Sequence, residues 1–287
     1  MADPFRPYKP VFTYQELKEM CRTTDLVKAR ESWLISHFRP PFTEYFAGKS
    51  YTFHFDNGRT LHYRFPDAHT LEWSEDGESF FDEYYEALES TVKGVFLVHH
   101  IRRRTLPFPG LTLIIDTERE LVTWSDQEFG RADDCDKNVM PQLVFGWYGT
   151  PKAARHSFTT ELCGAILDWK YSDDFIIRHC YLTPDCMTSP GAPTDNEDEY
   201  LFRKTLPAAY AKVRDGLYIA VFAEDGGSGV TLLIDLNRLR DVGSFFGMGG
   251  DGQLGSYTIG AVAGRGKFGF TGEYSIPYGS EPEDAPV

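Results

Sequence analysis

The sequence predicts a mainly β protein in which one antiparallel meander is duplicated in tandem behind a helical N-terminal extension. From residue 48 onward the apolar residues alternate with a period of two, which is typical of half-buried strands. Two stretches, GLTLIIDTER at 110–119 and GVTLLIDLNR at 229–238, are identical at six of ten positions. The spacing from Gly48 to Gly110 is 62 residues, close to the 65 residues from Gly164 to Gly229. Two such copies form either two barrels or one sheet closed from two halves.

Residues 1–47 are predicted to be the helical N-terminal extension. Thr13 and Glu16 have the spacing of a capping box, which marks the start of a helix. This helix would bury the face formed by Leu17, Met20 and Cys21. A second helix is predicted from Leu26 to His37, before the prolines at 40 and 41 end it.

Residues 48–150 are predicted to hold the first copy, with seven strands between about 48 and 125. The first strand places Tyr51, Phe53 and Phe55 on one face. Asn57–Gly58 is a strong hairpin signal between the first two strands. The strands then follow one another at short intervals, as in an up-and-down meander.

Residues 151–278 are predicted to hold the second copy, in which CGAILDWKYSDDFIIRHCYLTPD takes the place of AGKSYTFHFDNGRTLHYRFPDAH. The strands YLFRKT, AYAKVRD, GLYIAVFAE and VTLLIDL then lead to DVGSFFG. The segment near 188–200 is predicted to be a mobile loop. The polar residues 279–287 are predicted to be a disordered tail.

Charge and composition exclude several classes of partner. A net charge of -14 at pH 7 disfavours nucleic acid and anionic membranes, because an acidic surface repels phosphate groups. The N-terminus lacks the apolar core of a signal peptide, and no apolar run approaches the roughly 20 residues of a membrane span. Five cysteines without a C-x-x-C pair favour free thiols in a reducing compartment. We therefore expect a cytoplasmic protein.

Cofactor and metal motifs are weak or missing. Gly247, Gly249 and Gly252 satisfy G-x-G-x-x-G, but a dinucleotide site needs a helix directly after the glycines. The residues that follow, QLGSYTIGAVAG, are typical of a strand. The sequence contains no Walker A, G-x-S-x-G or H-E-x-x-H motif and no zinc-type spacing of Cys and His. It therefore predicts no cofactor and no metal site.

His99 and His100 are adjacent in a predicted strand, so their side chains point to opposite faces. One of them should face the interior, either as a hydrogen-bonded structural residue or as a catalytic base. His179, on a strand of the second copy, has the same two interpretations.

Arg102 is predicted to share a face with His100. In a barrel interior it would need a carboxylate or an anionic ligand; the alternative is a solvated sheet edge. Asp116 and Asp235 end the two copies of the duplicated strand. We interpret them as acceptors of Asx turns rather than as paired catalytic carboxylates, each with an arginine three residues later that neutralises it.

Three stretches resemble the MoaF-like family, whose members are named molybdenum cofactor biosynthesis protein F. These are GKSYTFHFDNGRTLHYRF with TLEW, then DWKYSDDFIIRHCYLTPDCMT, then GVTLLIDLNRLRDVGSFFG. The resemblance runs from about Gly48 to Gly247. It implies one calycin-like (lipocalin-type) barrel in each half, in agreement with the duplication. It transfers no catalytic residue.

A small barrel holds one small ligand in its mouth, and this chain is 15% aromatic. We therefore expect a cofactor-independent isomerase, cyclase, lyase or dehydratase of secondary metabolism, acting on a hydrophobic or aromatic metabolite. The predicted catalytic residues are His99 or His100 as base, Tyr85 or Tyr200 as acid, and Arg102 as the oxyanion partner. The predicted substrate-binding residues are Trp124, Phe96, Tyr63 and His179.

Two alternatives stay open: a non-catalytic carrier of a small molecule, and a role in molybdenum cofactor metabolism. A carrier would have an apolar cavity with polar groups only at the rim. An enzyme would bring His, Tyr, Arg and Glu together at the bottom of one cavity. A phosphate-bearing pterin fits poorly with the acidic composition. The exposed edges of a duplicated fold are compatible with a homodimer.

Overall fold

The computed structural model describes residues 12–31, 35–129, 139, 141–189, 204–224, 227–248 and 253–266. Within these residues the chain forms two closed antiparallel β-barrels in tandem, preceded by an α-helix. The predicted fold class of two tandem barrels is thereby confirmed. The alternative of a single sheet closed from two halves is excluded, because each half closes on itself. The predicted mobile loop near 188–200 lies almost entirely outside the described residues, and the predicted tail at 279–287 lies wholly outside them.

The helix α1, Tyr14–Thr23, begins at the predicted capping box. The Glu16 amide donates to the Thr13 hydroxyl at 3.3 Å, and the Thr13 amide donates to the Glu16 carboxylate at 2.7 Å. Leu17 and Cys21 are buried on the inner face of the helix. The helix thus docks on the barrels through the face that its periodicity predicts.

The prediction of a second helix from Leu26 to His37 is wrong. The described part of this segment holds a single 3₁₀ turn, Lys28–Arg30, and the backbone becomes extended at Glu31. The Val27 and Lys28 amides donate to Oδ1 of Asp25 at 3.0 and 3.4 Å, so the start of the turn is capped, but the helical backbone does not continue beyond Arg30.

Barrel 1 consists of eight strands, each hydrogen-bonded to its sequence neighbour, and the last pairs with the first. The strands are β1 Lys49–Phe55, β2 Thr60–Phe65, β3 Thr70–Glu75, β4 Phe81–Glu89, β5 Val95–Ile101, β6 Gly110–Asp116, β7 Leu121–Gln127 and β8 Gln142–Tyr148.

Barrel 2 repeats this arrangement with β10 to β17. It closes through the β12–β13 and β10–β17 pairings, and a short strand, β9, adds to β13 from outside. The strands are β9 Ser157–Phe158, β10 Ile166–Ser172, β11 Phe175–Thr183, β12 Cys186–Ser189, β13 Lys204–Arg214, β14 Leu217–Ala223, β15 Ser228–Asp235, β16 Arg240–Met248 and β17 Leu254–Arg265.

The two duplicated stretches occupy equivalent strands. Gly110 begins β6, between β5 and β7, and Gly229 lies at the start of β15, between β14 and β16. The registers also agree, because Asp116 opposes Val95 in barrel 1 just as Asp235 opposes Leu217 in barrel 2. These pairings define which residue of one barrel corresponds to which residue of the other.

Asp116 and Asp235 keep the turn role predicted for them. Amides two and three residues later donate to Oδ1 of Asp116 at 3.2 and 3.0 Å, and to Oδ1 of Asp235 at 2.8 and 3.0 Å. Arg214 donates two hydrogen bonds to Asp116, which lowers the pKa of this carboxyl. The Asx-turn interpretation is confirmed for both copies.

Alternate residues of each strand point inward and fill the barrels with rings. Burial of each large apolar side chain contributes about 1.5–3 kcal/mol. The inward-facing rings of barrel 1 include Phe53, Phe55, Tyr63, Phe65, Trp73, Tyr85, Phe96 and Trp124. Those of barrel 2 include Trp169, Tyr171, Tyr181, Tyr210, Tyr218 and Phe222.

The barrels also share a core, formed by outward-facing residues of both. It includes Leu88, Val95, Leu97 and Ile114 of barrel 1, with Val213, Leu217, Ile219, Val221, Leu233 and Val242 of barrel 2. The outer faces of β5, β6 and β14 are therefore buried, although alternation alone predicts solvated outer faces.

Two buried hydroxyl pairs cross the contact between the barrels. Thr112 and Ser244 are 2.7 Å apart, and Ser125 and Thr231 are also 2.7 Å apart. Thr112 opposes Ser125 within barrel 1, and Thr231 opposes Ser244 within barrel 2. The two contacts are thus equivalent under a pseudo-two-fold axis between the barrels.

Candidate functional site

His100 points into barrel 1 and is hydrogen-bonded at both ring nitrogens. Its Nδ1 lies 3.0 Å from the Ile101 carbonyl oxygen, and its Nε2 lies 2.9 Å from the Tyr63 hydroxyl. Because a carbonyl only accepts, we assign the ring hydrogen to Nδ1, and Nε2 then accepts from Tyr63. Burial lowers the pKa of His100 to about 3, so the ring is neutral at physiological pH.

His99 points the opposite way, into the contact between the barrels. Its Nδ1 is 2.9 Å from the Thr112 hydroxyl, and its Nε2 is 2.8 Å from the Ser256 hydroxyl of β17. The prediction that the His99 and His100 side chains point to opposite faces of the strand is therefore confirmed. His99 lies away from both barrel interiors and links the two barrels.

Tyr85 and Phe96 also lie inside barrel 1, and the register places Tyr85 directly opposite His100 on the inner face. The Tyr85 hydroxyl donates to the Asp67 carbonyl at 3.0 Å. Phe96 stacks on Tyr45 with ring centroids 4.4 Å apart. These contacts fix both rings within the packed barrel. The remaining predicted catalytic residue, Tyr200, falls outside the described residues.

Arg102 and Trp124 lie at the end of barrel 1 where β1 leads into β2, which we call its mouth. Arg102 donates to Asp126 at 2.7 Å and to Glu128 at 3.2 Å, so this buried arginine is paired with carboxylates. Its guanidinium carbon lies 5.4 Å from the centre of the Trp124 ring, and that of Arg59 lies 4.3 Å away. The mouth of barrel 1 is therefore filled by an indole and two paired guanidinium groups.

The corresponding end of barrel 2 has different residues. The registers place His179 at the position of Tyr63 and Phe222 at that of His100. They also place Gly243 at the position of Trp124. Barrel 2 therefore lacks the indole that fills the mouth of barrel 1.

A cavity of about 200 Å³ lies at this end of barrel 2. We call it the barrel 2 cavity; it is lined by Ile35, Tyr171, Phe175, Ile177, His179, Phe222, Glu224, Val230, Phe245 and Ile259. Seven of these ten side chains are apolar, and His179, Tyr171 and Glu224 provide the polar groups. Ile35 comes from the N-terminal extension, which therefore contributes to the wall of the cavity.

A chain of hydrogen bonds orients His179. The Trp169 indole donates to the Tyr181 hydroxyl at 3.2 Å, and that hydroxyl lies 3.4 Å from Nδ1 of His179. Since Tyr181 accepts from Trp169, we assign its own hydrogen to the bond with Nδ1. Burial lowers the pKa of His179 to about 3, so the ring is neutral and carries its hydrogen on Nε2. His179 therefore offers an N–H donor to the cavity it lines.

Tyr171 and Asp241 form the second polar element of this site. The Tyr171 hydroxyl donates to Oδ2 of Asp241 at 3.1 Å, and the Ala261 amide donates to Oδ1 at 2.6 Å. Burial outweighs these two bonds and raises the pKa of Asp241 from 3.8 to about 7. This carboxyl can both accept and release a proton near neutral pH.

Sequence comparison agrees with the two-barrel architecture. Residues 33–129 match the MoaF N-terminal domain, and residues 156–265 match the MoaF C-terminal domain. Together these matches cover more than two thirds of the chain. The chain belongs to the MoaF family. No curated protein matches it in a sequence search.

The MoaF N-terminal domain covers β1 to β7, and the MoaF C-terminal domain covers β9 to β17. Each domain of the family thus corresponds to one barrel. The barrel 2 cavity lies in the MoaF C-terminal domain, apart from Ile35, which falls within the N-terminal match.

Tyr171 and Asp241 are functional candidates of this MoaF protein that the sequence reasoning missed. Both residues lie in stretches that carry the family resemblance, DWKYSDD and DVGSFFG. Alternation along β16 places Asp241 in phase with Gly243 and Phe245, hence on the inner face. An acidic residue at an inward-facing strand position is rare, and this is the sequence feature by which Asp241 could have been identified as a functional candidate.

The described part of this MoaF protein shows neither a membrane-spanning helix nor a metal-binding cluster. None of its described helices is long and apolar enough to cross a membrane. Among the described side chains, no group of three or more His, Cys, Asp or Glu residues could hold a metal ion.

Proposed function

We propose that this protein is a cofactor-independent enzyme that moves a proton within a compact hydrophobic or aromatic molecule bound in the barrel 2 cavity. The reaction class is isomerisation next to a carbonyl group, which is the isomerase branch of the sequence prediction. One observation carries the proposal: a single cavity wall combines a neutral His179 with a Tyr171–Asp241 pair whose carboxyl has a pKa raised to about 7.

Size and polarity support a compact ring compound as the ligand. An apolar cavity of about 150 Å³ accommodates benzene, so about 200 Å³ suits a ring with a small substituent. Aromatic side chains such as Phe175, Phe222 and Phe245 offer flat apolar contacts. A small number of polar groups in an apolar cavity fixes one orientation of a ligand, and this cavity has three residues that carry such groups.

His179 is the proposed electrophile. Its Nε2–H would donate to the carbonyl oxygen and stabilise the negative charge that develops there as the neighbouring carbon loses a proton. A neutral imidazole performs this role without becoming charged, which suits its depressed pKa. The bond from Tyr181 holds the ring in this tautomer.

Tyr171 and Asp241 are the proposed proton relay. The proton leaving carbon passes to the Tyr171 oxygen while the Tyr171 proton passes to Oδ2 of Asp241. Reversal of the relay at another carbon completes the isomerisation, so no proton is gained or lost overall. A carboxyl with a pKa near 7 is efficient in both directions, because catalysis is best when the pKa lies close to the working pH.

Deuterium exchange tests the proposal. The wild-type protein is incubated with 1-indanone or 2-indanone in D₂O, and loss of the α-proton signal is followed by NMR. We expect protein-dependent exchange that falls at least tenfold in Asp241→Asn and in Tyr171→Phe. Tyr210→Phe is the matched control, because its hydroxyl bonds the Cys186 carbonyl elsewhere in barrel 2. Exchange that is unchanged in Asp241→Asn would overturn the relay.

A carrier is the second candidate, favoured by the seven apolar residues among the ten that line the cavity. It predicts that ring compounds bind and are released with their α-protons intact. A phosphate-bearing pterin is less well supported, because no lysine or arginine is among the lining residues. Calorimetric titration beside the exchange assay separates binding from turnover.

A further inference from the structure

Among the described residues, the interior and mouth of barrel 1 contain three buried hydrogen-bond donors without a partner. They are Nε1 of Trp73, Nε1 of Trp124 and Nε of Arg102. Trp73 and Trp124 belong to the inner face of the barrel, and Arg102 continues the inner face of β5 beyond His100. Buried donors are almost always paired in folded proteins, so three in one barrel need an explanation.

An indole at a different position inside barrel 2 shows that such donors can be satisfied within this fold. Trp169, inside barrel 2, donates to the Tyr181 hydroxyl. In barrel 1 the Tyr63 hydroxyl, which belongs to the same core as Trp73 and Trp124, bonds to His100. Packing alone therefore does not account for the unpaired donors of barrel 1.

The three donors lie at the mouth of barrel 1. Trp124 is beneath Arg59, whose side chain is 33% exposed, and Arg102 pairs with Glu128, whose side chain is 62% exposed. Glu128 can move into solvent at small cost, because exposed ion pairs contribute little to stability. Departure of Arg59 frees the face of the Trp124 indole for another flat group.

Among the described residues of this mouth, the buried polar atoms without a partner are all hydrogen-bond donors, so a matching ligand must supply acceptors. Arg59 is paired with Glu75, and Arg102 is paired with Asp126 and Glu128, so the charges are already balanced. An additional anion would disturb these pairs. A neutral molecule with acceptor oxygens satisfies the donors without adding charge.

We propose that the mouth of barrel 1 is a second ligand site, for a neutral planar compound with carbonyl oxygens, such as a quinone or an aryl lactone. The ring replaces Arg59 over the Trp124 indole. Trp124 supplies the stacking surface, and the carbonyl oxygens accept hydrogen bonds from Nε1 of Trp73 and Nε of Arg102, because an indole N–H lies in the plane of its own ring and does not point at a group stacked on that ring. This site is distinct from the barrel 2 cavity and does not depend on the proton-transfer proposal.

Calorimetric titration of the full chain with coumarin and with 1,4-naphthoquinone tests the site. We expect one molecule of probe to bind, and we expect the Kd to rise at least fivefold in Trp124→Phe and in Trp73→Phe. Trp147→Phe is the matched control, because the Trp147 indole nitrogen is also unpaired but its ring lies outside the barrel against Arg155. Its Kd should equal that of the wild type.

A further variant separates the two sites. Ile177→Phe adds a ring to the wall of the barrel 2 cavity and should leave binding of these probes unchanged. Binding lost in Ile177→Phe but retained in Trp124→Phe would place the probes in barrel 2 and overturn the second site. A crystal structure with an ordered water on each of the three donors, together with no measurable binding, would overturn it as well.

Discussion

The Tyr171 hydroxyl and the Asp241 carboxyl are 3.1 Å apart inside barrel 2, with Tyr171 in the wall of the cavity. In barrel 1 the registers place Phe55 and Val122 at these two positions. The pair is therefore specific to one copy of the duplication. A buried carboxyl that replaces an apolar residue reduces stability unless it stays protonated, and this sets the pH dependence described next.

Asp241 should make the stability of the protein depend on pH. Its pKa is raised from 3.8 to about 7, so the folded state holds its proton more tightly than the unfolded state. Its contribution is most favourable below pH 4 and is lost as the pH rises through 7, by up to about 1.4 kcal/mol per pH unit. Asp241→Asn should remove this slope. Thermal unfolding of both proteins between pH 4 and 8 checks the difference, and parallel curves would contradict it.

His179 should remain neutral across the physiological range. Burial lowers its pKa from 6.5 to about 3, so it stabilises the fold above pH 6.5 and loses this contribution as the pH falls toward 3. Nitrogen-15 NMR of the labelled imidazoles should show Nε2 protonated and Nδ1 unprotonated from pH 8 to 5. A titration midpoint near 6.5 would indicate an accessible, ordinary histidine.

Trp124 should be a major contributor to the stability of barrel 1. Its ring is fully buried and contacts Phe55, Arg59 and Arg102. Trp124→Ala should cost about 3–5 kcal/mol, because it leaves a large cavity in a packed interior. Urea unfolding measures this loss, and Trp147→Ala on the outer face provides a comparison of equal size change. A loss below 1 kcal/mol would show that the mouth collapses around the missing ring.

The hydroxyl pairs between the barrels should be coupled but unequal in energy. Thr112→Val also removes a partner of His99 at 2.9 Å, so we expect a loss of about 1–3 kcal/mol. Ser244→Ala removes one neutral hydrogen bond and should cost about 1 kcal/mol. The double variant should lose less than the sum of both, and strict additivity in urea unfolding would exclude a direct bond.

Strand alternation and the duplicated motif were sufficient to predict much of the fold from the sequence. The capping box at Thr13, the opposite directions of His99 and His100, and the turn role of Asp116 all follow from local spacing, and the structure agrees. Local spacing failed between Leu26 and His37, where a turn that begins at the Asp25 carboxylate ends at Arg30 and the backbone becomes extended at Glu31.

Much less of the candidate site could be predicted, for two physical reasons. Alternation assigns His99 to an outer face, but it cannot show that a second barrel covers that face. Comparison of the two copies would predict an apolar residue where Asp241 stands, because its counterpart Val122 is apolar. The roles predicted for His100, Arg102 and Tyr63 stay predictions, now tied to the ring-filled interior and mouth of barrel 1.

The paired contacts of Thr112 with Ser244 and of Ser125 with Thr231 have a consequence for how such a chain arises. A surface that contacts its own copy across a two-fold axis is the surface of a symmetric dimer. Fusion of two such subunits into one polypeptide makes their association independent of dilution. After fusion the two halves can also change independently of each other. Barrel 2 can then gain a buried acid while barrel 1 keeps apolar residues at the same positions.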